Sequence, residues 1–209
     1  MRDPEFEIVL ASGNAGKRRE FMDLLRGLPL VIEGLDGYPA LGAIAETGTT
    51  FEENAVIKAL TTARHTGKWA IADDSGLEVD ALNGAPGVHS ARYAGADATD
   101  AENRRRLLRA LAGFPPDKRR ARFVACLALA APGGRTWTWR GILEGSITFE
   151  ERGTAGFGYD PLFIPEGDSR TLAELGPEEK NAISHRGRAV AAMRPHLLEI
   201  LAEHGPPVG

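Results

Sequence analysis

The sequence predicts an α/β fold in which helices flank a mixed β-sheet. It opens with an apolar run at residues 7–11, a glycine-containing turn and an amphipathic segment, which is the strand, turn and helix of an α/β unit. Paired strand-like runs occupy the middle of the chain, and helical patterns lie on either side of them. Helices at both ends with paired strands between them imply a mixed sheet rather than a purely parallel one.

Composition describes an ordinary globular protein. The chain has 209 residues, 43% hydrophobic and 26% charged, which fits one large domain or two closely joined lobes, and we expect a single domain over residues 1–209. The formal net charge of −4 argues against nucleic acid as a partner. The longest apolar runs fall well short of the roughly 20 residues of a membrane span. No signal-peptide pattern precedes the first strand.

Cysteine usage bears on the compartment. The one cysteine, Cys126, rules out an internal disulfide and lies in an apolar run, which indicates a buried thiol rather than a nucleophile. A reducing compartment suits such a chain, so we expect a soluble cytoplasmic protein. The polar segment at residues 1–6 is interpreted as unordered or left over from expression, and no function is assigned to it.

The first half of the chain predicts three helices and two strands. The helix at about residues 17–28 has apolar side chains at the 0, 3, 4, 7 spacing of one helix face, namely Phe21, Leu24, Leu25 and Leu28. Helices near residues 50–65 and 100–112 each begin with a capping box, formed by Thr50 with Glu53 and by Thr99 with Glu102. A strand at residues 68–72 is expected to end in an acidic turn at 73–76, followed by an ordered functional loop to residue 98.

The second half predicts a hairpin and a helical end. Residues 122–130 and 136–140 flank a Pro-Gly-Gly turn, and a further strand covers about residues 144–149. From about Pro177 the pattern is helical, with a break near residues 184–187 and a kink at Pro195.

The glycine turn after the first strand is a candidate phosphate-binding loop. Gly13 and Gly16 allow a tight turn at a helix start, where backbone N–H groups and the helix dipole favour an anion, and Lys17 adds a positive charge. A Walker-type P-loop is disfavoured because Ala11 and Arg18 stand where that pattern has glycine and a hydroxyl residue. An ordinary strand-to-helix turn explains this segment equally well.

Adjacent carboxylates follow the second predicted strand. Side chains alternate along a strand, so Asp73 and Asp74 should point to opposite faces, and one of them could hold Mg²⁺ or activate a water. A plain turn is the simpler reading of this segment alone. Asn54 and Lys58 share one face of the second predicted helix and make it polar, which suggests that this face lines a cleft.

Two further segments could read a nucleobase. Residues 156–161 place two aromatic rings beside Asp160, so one ring could stack on a base whose edge the carboxylate contacts. Lys180 and the run at 184–188 form a basic cluster at the helix break, which suits phosphate and carbonyl groups. Read singly, the aromatics are more simply core residues and the basic run a solvated helix end.

Together and in this order, these segments resemble the inosine triphosphate pyrophosphatase family over about residues 8–203. The motifs that carry the resemblance lie at residues 12–17, 46–48, 50–55, 72–77, 84–93, 156–161 and 179–187. One departure is Ser12, where many relatives carry threonine, and it keeps the hydroxyl.

The resemblance implies an elongated α/β fold whose long mixed β-sheet, flanked by helices, splits into two lobes around a central cleft. It also implies a homodimer and dependence on Mg²⁺. It implies hydrolysis of dITP, ITP and XTP or dXTP to the monophosphate and pyrophosphate, which removes deaminated purines from the nucleotide pool. The implied catalytic residues are Asp74 as proton acceptor, Lys17, Glu46 and Lys58, with Asp74 and Glu46 also as metal ligands. The implied substrate contacts are Ser12, Gly13, Asn14, Ala15, Gly16, Lys17, Ser75, Phe157, Gly158, Tyr159, Asp160, Lys180, His185 and Arg186.

Two alternatives stay open at this stage. One is a pyrophosphatase for modified pyrimidine nucleotides, and the other is a regulator that binds nucleotides without cleaving them. The acidic and basic set at Asp74, Glu46 and Lys17 argues against a pure sensor, which needs no carboxylate to activate water.

Overall fold

The structure is a computed structural model that describes residues 6–204. Most of the segment predicted to be unordered, residues 1–5, lies outside the described residues. Phe6 does not belong to that segment, because it is buried and is the first residue of strand β1.

A six-stranded mixed sheet organises the chain. Its strands are β1 (Phe6–Leu10), β2 (Leu30–Gly34), β3 (Trp69–Val79), β4 (Arg120–Ala130), β5 (Thr136–Ile147) and β6 (Phe163–Pro165), in the spatial order β2-β1-β3-β4-β5-β6. Strand β1 pairs in parallel with β2 and β3, whereas β5 and β6 are antiparallel. The α/β class and the mixed sheet are therefore confirmed.

Five α-helices accompany the sheet within residues 6–204. They are α1 (Ala15–Leu24), α2 (Phe51–Thr66), α3 (Asp100–Ala110), α4 (Pro177–Ile183) and α5 (His185–His204). Both predicted capping boxes, at the starts of α2 and α3, are present. The predicted break lies at Ser184 between α4 and α5, and α5 continues through Pro195. No helix in the described range is long and apolar enough to span a membrane.

Helix α1 is shifted relative to its predicted position. It begins at Ala15, because Asn14 accepts a hydrogen bond from the backbone N–H of Lys17 and so caps the helix. It ends at Leu24, before a turn in which Gly27 has a φ of 81°. The predicted apolar face is nevertheless used, since Phe21, Leu25 and Leu28 are all buried.

The chain divides into two compact units. Among the described residues, the first unit comprises 6–74, 126–140 and 189–204, and the second comprises 75–125 and 141–188. The first unit has a core of fully buried side chains from β1, α1 and α5, among them Ile8, Phe21 and Met193. The second has a core in which Leu107 of α3 and Leu111, the residue that follows this helix, belong to the same cluster as Phe123 and Leu162. The single-domain description stays a prediction.

Strand β3 contradicts the prediction that an acidic turn ends it near Asp73. The strand continues to Val79, and both Asp73 and Asp74 are buried within it. Each carboxylate is paired with a lysine ammonium group, so its charge does not force the backbone out to solvent. Leu77 and Val79 then continue the buried face. Tertiary contacts therefore override the local turn preference of the Asp-Asp-Ser-Gly sequence.

Position 76 in β3 needs glycine because neighbouring atoms of Gly87 and Ser90 leave no room for a side chain. A Cβ atom at this position would overlap Ser90 Oγ and lie 2.7 Å from the carbonyl oxygen of Gly87. We expect Gly76→Ala to lower the free energy of unfolding by about 1–3 kcal/mol, as overpacking does. Denaturant unfolding measures the change. Gly113→Ala is the matched control, because a Cβ there meets nothing within 4 Å, and an equal loss in both variants would contradict the prediction.

Candidate active site

The first unit contains a cluster of two carboxylates around one lysine, which we call the carboxylate–lysine cluster (Glu46, Asn54, Lys58 and Asp74). Asn54, Lys58 and Asp74 are buried, and Glu46 is partly exposed. Lys58 Nζ donates to Glu46 Oε1 at 2.7 Å and to Asp74 Oδ1 at 2.8 Å. Asn54 Nδ2 donates to the other oxygen of Asp74 at 3.3 Å. Since Asn54 and Lys58 are one turn apart on α2, a single helix face holds the Asp74 carboxylate by both oxygens.

Burial sets the electrostatics of this cluster. Burial raises the pKa of Asp74 above its ordinary value, and the nearby carboxylate of Glu46 adds to this, while the charges of Lys58 and Lys17 oppose it. Burial also disfavours the Lys58 ammonium group, but Asp74 and Glu46 outweigh it and raise the pKa of Lys58. Lys58 therefore stays charged, and Asp74 is more basic than an ordinary carboxylate.

The predicted phosphate loop begins α1 in the same unit. Ser12 and Gly16 are buried, whereas Gly13, Asn14 and Ala15 are exposed at the helix start. The first N–H groups of a helix lack partners within the helix and attract anions. Lys17 Nζ lies 2.8 Å from Asp73 Oδ2, and its charge is close enough to Asp74 to lower the pKa of that residue. Asp73 and Asp74 thus hold different lysines.

In the second unit, Asp160 organises the loop at residues 156–161. Its Oδ2 atom accepts hydrogen bonds from the backbone N–H of Phe157 at 2.8 Å and from Lys180 Nζ at 2.7 Å. Lys180 and Asp160 are 6% and 4% exposed, so this is a buried ion pair. Lys180 Nζ also lies 4.8 Å from the ring centroid of Phe157. A Cβ at Gly156 would overlap the Asp160 carboxylate, and its φ of 75° suits glycine.

The start of α5 contributes Arg186 and His185. Arg186 is 1% exposed, donates to Ser75 Oγ at 2.8 Å, and has its guanidinium carbon 6.0 Å from the Phe157 centroid. The ring of His185 stacks on Phe123, with centroids 4.8 Å apart and an interplanar angle of 11°. Phe157 therefore has the positive groups of Lys180 and Arg186 nearby, while His185 packs against an apolar ring.

Tyr159 occupies a different environment from Phe157. It is 4% exposed and belongs to the core cluster of the second unit, where its hydroxyl donates to the carbonyl of Ser90 at 2.8 Å. Phe157 is only partly buried. Of the two aromatic rings in the loop, Phe157 is accordingly the more accessible to a ligand, and Tyr159 anchors the loop.

Comparison with known proteins identifies the family of this chain. The model of the Ham1 family matches residues 8–196, nearly the whole chain. The chain belongs to the Ham1 family. The sequence resemblance is thereby confirmed, and the motifs described above are motifs of a Ham1-family protein.

Curated relatives and solved structures agree with this assignment. The dITP/XTP pyrophosphatase of Exiguobacterium sibiricum is 51% identical over 197 residues, covering 94% of this chain and all of the relative. That of Geobacter sulfurreducens is 50% identical over 190 residues, covering 91% of this chain and 96% of the relative. A HAM1 protein from Coxiella burnetii superposes with a TM-score of 0.85 at 47% identity, over 93% of this chain and 99% of that one.

Two residues that contact the candidate site of this Ham1-family chain were not among the predicted site residues. Asn54 holds Asp74, and the polar helix face it shares with Lys58 was the signal that indicated it. Asp73 holds Lys17, and the alternation of neighbouring strand side chains gave only its direction, not its partner. Glu53 forms the capping box of α2 with Thr50, and Glu52 accepts a hydrogen bond from Thr138.

Proposed function

We propose that this chain hydrolyses the non-standard purine nucleoside triphosphates dITP, ITP and XTP or dXTP to the monophosphate and pyrophosphate, and so removes deaminated purines from the nucleotide pool. The names of relatives that are about half identical over most of their length support this activity. The observation that carries it is the orientation of Asp74, whose two oxygens are held by Lys58 and Asn54.

The chemistry follows from what each residue can do. In the reaction, a water oxygen forms a bond to the α-phosphorus, the bond from that phosphorus to the bridging oxygen breaks, and pyrophosphate leaves. Asp74 accepts the proton of the water, since each carboxylate oxygen keeps a lone pair beyond its present hydrogen bond. Lys17, next to the α1 N-terminus, stabilises the charge that grows on the leaving group.

We propose that Glu46 and Asp74 together hold a magnesium ion. Glu46 and Asp74 both lie within hydrogen-bonding distance of the same Lys58 Nζ atom, at 2.7 and 2.8 Å, so the two carboxylates converge. No group of three or more His, Cys, Asp or Glu side chains within residues 6–204 could hold a metal. Mg²⁺ commonly takes one or two carboxylates and completes its shell with water and substrate phosphate. When bound, it would neutralise phosphate charge and acidify a coordinated water.

Base selection is proposed to rest on the group at the 6-position. Phe157 stacks on the purine, and the side chains near its ring, Lys180 and Arg186, can only donate hydrogen bonds. Hypoxanthine and xanthine present a carbonyl acceptor at this position, whereas adenine presents an amino donor. A site built for one pattern rejects the opposite one by up to about 10⁴-fold.

Pyrophosphate release tests the proposal. The assay uses ITP, XTP, dUTP, GTP and ATP, each with and without Mg²⁺. We expect release from ITP and XTP that depends on the cation, and little from ATP. Preference for dUTP would instead support a pyrimidine enzyme, and binding without release from any triphosphate would support the non-catalytic regulator. The resemblance further leads us to propose a homodimer in the cytoplasm, and sedimentation of the purified chain measures its assembly.

A further inference from the structure

Two side chains of helix α3 form hydrogen bonds with the backbone of the loop that carries Phe157. The backbone N–H of Gly158 donates to Asp100 Oδ2 at 2.7 Å, and the carbonyl oxygen of Gly158 accepts from Arg104 Nη1 at 2.9 Å. Asp100 and Arg104 are one turn apart on α3. The two polar groups of a single residue are thus held by two side chains on the same helix face.

Helix α3 is itself fixed within the second unit. A capping box formed by Thr99 and Glu102 closes its N-terminus. Asn103, 2% exposed, accepts from the backbone N–H of Ala94 at 2.7 Å and donates to the carbonyl of Ala91 at 3.0 Å. Leu107 is fully buried. The helix therefore offers a rigid support from which Asp100 and Arg104 reach the loop.

These contacts fix the direction in which the Phe157 side chain leaves the backbone. The peptide plane before Phe157 is held because its N–H donates to Asp160 at 2.8 Å. The peptide plane after Phe157 is held because its N–H, that of Gly158, donates to Asp100. With both neighbouring planes fixed, the φ and ψ angles of Phe157 are fixed, and so is the direction of its Cα–Cβ bond. Gly158 has a φ of 60°, a conformation that glycine adopts readily but that still needs contacts to select it.

We propose that Asp100 and Arg104 are positioning residues that hold Phe157 ready to stack on the purine, and that they set the affinity for the base rather than the rate of cleavage. This inference rests on the proposed function, because it assigns a task within that site. Neither Asp100 nor Arg104 needs to contact the nucleotide. Both bind Gly158 and thereby position the neighbouring Phe157.

The test compares KM with kcat for ITP in the variants Asp100→Ala and Arg104→Met. We expect each variant to raise the KM for ITP by about three- to tenfold, the equilibrium effect of one lost hydrogen bond, with kcat changed less than about twofold. Inhibition by the product IMP should weaken by the same factor, while inhibition by pyrophosphate stays unchanged. Asp100→Asn should restore most of the affinity, since its amide oxygen can still accept from Gly158.

A matched control separates positioning from general damage to α3. Arg105→Ala removes a neighbouring exposed arginine of the same helix, whose Nε atom donates to the carbonyl of Ala101, and it leaves both loop contacts in place. This control should keep the wild-type KM. The inference is overturned if Arg105→Ala reproduces the Asp100→Ala effect, if pyrophosphate inhibition weakens equally, or if neither test variant raises KM.

Failure of this inference and failure of the proposed function give different results. If the wild-type chain releases no pyrophosphate from any purine triphosphate, the proposed function fails, and calorimetric binding of IMP to wild type and Asp100→Ala still tests the positioning. If the wild type is active and the variants match it in KM and in IMP inhibition, only the positioning role fails.

Discussion

Asp74→Asn should cut the turnover of ITP by about 10²- to 10⁴-fold, the range associated with a positioned general base. The amide keeps the size of the carboxylate and can still accept from Lys58, but it cannot take a proton from water at neutral pH. Nucleotide binding should survive. Single-turnover kinetics give the chemical rate, and calorimetry with ITP gives the affinity.

The control for Asp74→Asn removes a carboxylate elsewhere on the same unit. Glu52 is exposed on α2 and bonds to Thr138 rather than to the carboxylate–lysine cluster. Glu52→Gln should therefore keep wild-type kinetics. Normal turnover by Asp74→Asn would rule out its role as proton acceptor, and an equal loss in both variants would point to net charge rather than to this side chain.

Lys180→Met should produce the largest loss of stability. Lys180 and Asp160 are both nearly inaccessible, and the ammonium lies 2.7 Å from the carboxylate. Removing one partner of a buried ion pair costs about 3–5 kcal/mol, because the other charge stays buried without it. In a chain of this length that corresponds to a fall in Tm of roughly 10 °C. Thermal unfolding measures the shift, and KM for ITP should rise as well because Phe157 loses its neighbour.

A double variant distinguishes stability from recognition. Lys180→Met combined with Asp160→Leu replaces the pair by apolar side chains of similar volume, which is often nearly neutral for stability. We expect part of the lost Tm to return, because no buried charge is left without a partner but the backbone N–H of Phe157 loses its acceptor, while KM for ITP stays high. Arg170→Met is the comparison for an exposed ion pair, that with Asp168, and its Tm should change much less. An unchanged Tm in Lys180→Met would contradict the importance of the buried pair.

Local signals account for what the sequence predicted correctly in the fold. The capping boxes at Thr50 and Thr99 depend only on residues three positions apart, so they could be read directly. The end of β3 was predicted wrongly, because the turn preference around Asp74 is local whereas the lysines that neutralise these carboxylates come from α1 and α2. Pairing between distant segments has no signature in a single sequence.

The same distinction applies to the site. The polar helix face formed by Asn54 and Lys58 was interpreted as the lining of a cleft. In the structure, both side chains donate to Asp74. Nothing in the sequence connects Asp100 and Arg104 to Gly158, because the contact depends on where α3 packs. The segments that we propose to act on substrate carry motifs that can be recognised in the sequence. The segments that hold those motifs in place can be identified only from the folded structure.

The buried thiol of Cys126 has a practical consequence for spectroscopy. It is 5% exposed, and burial raises the pKa of the Cys126 thiol to about 11. At pH 7 only about one molecule in 10⁴ carries the reactive thiolate. Fluorophores or spin labels that target thiols should therefore leave the native chain unmodified. A reporter could therefore be attached by Thr154→Cys, at an exposed position three residues before Phe157, without first removing the native cysteine.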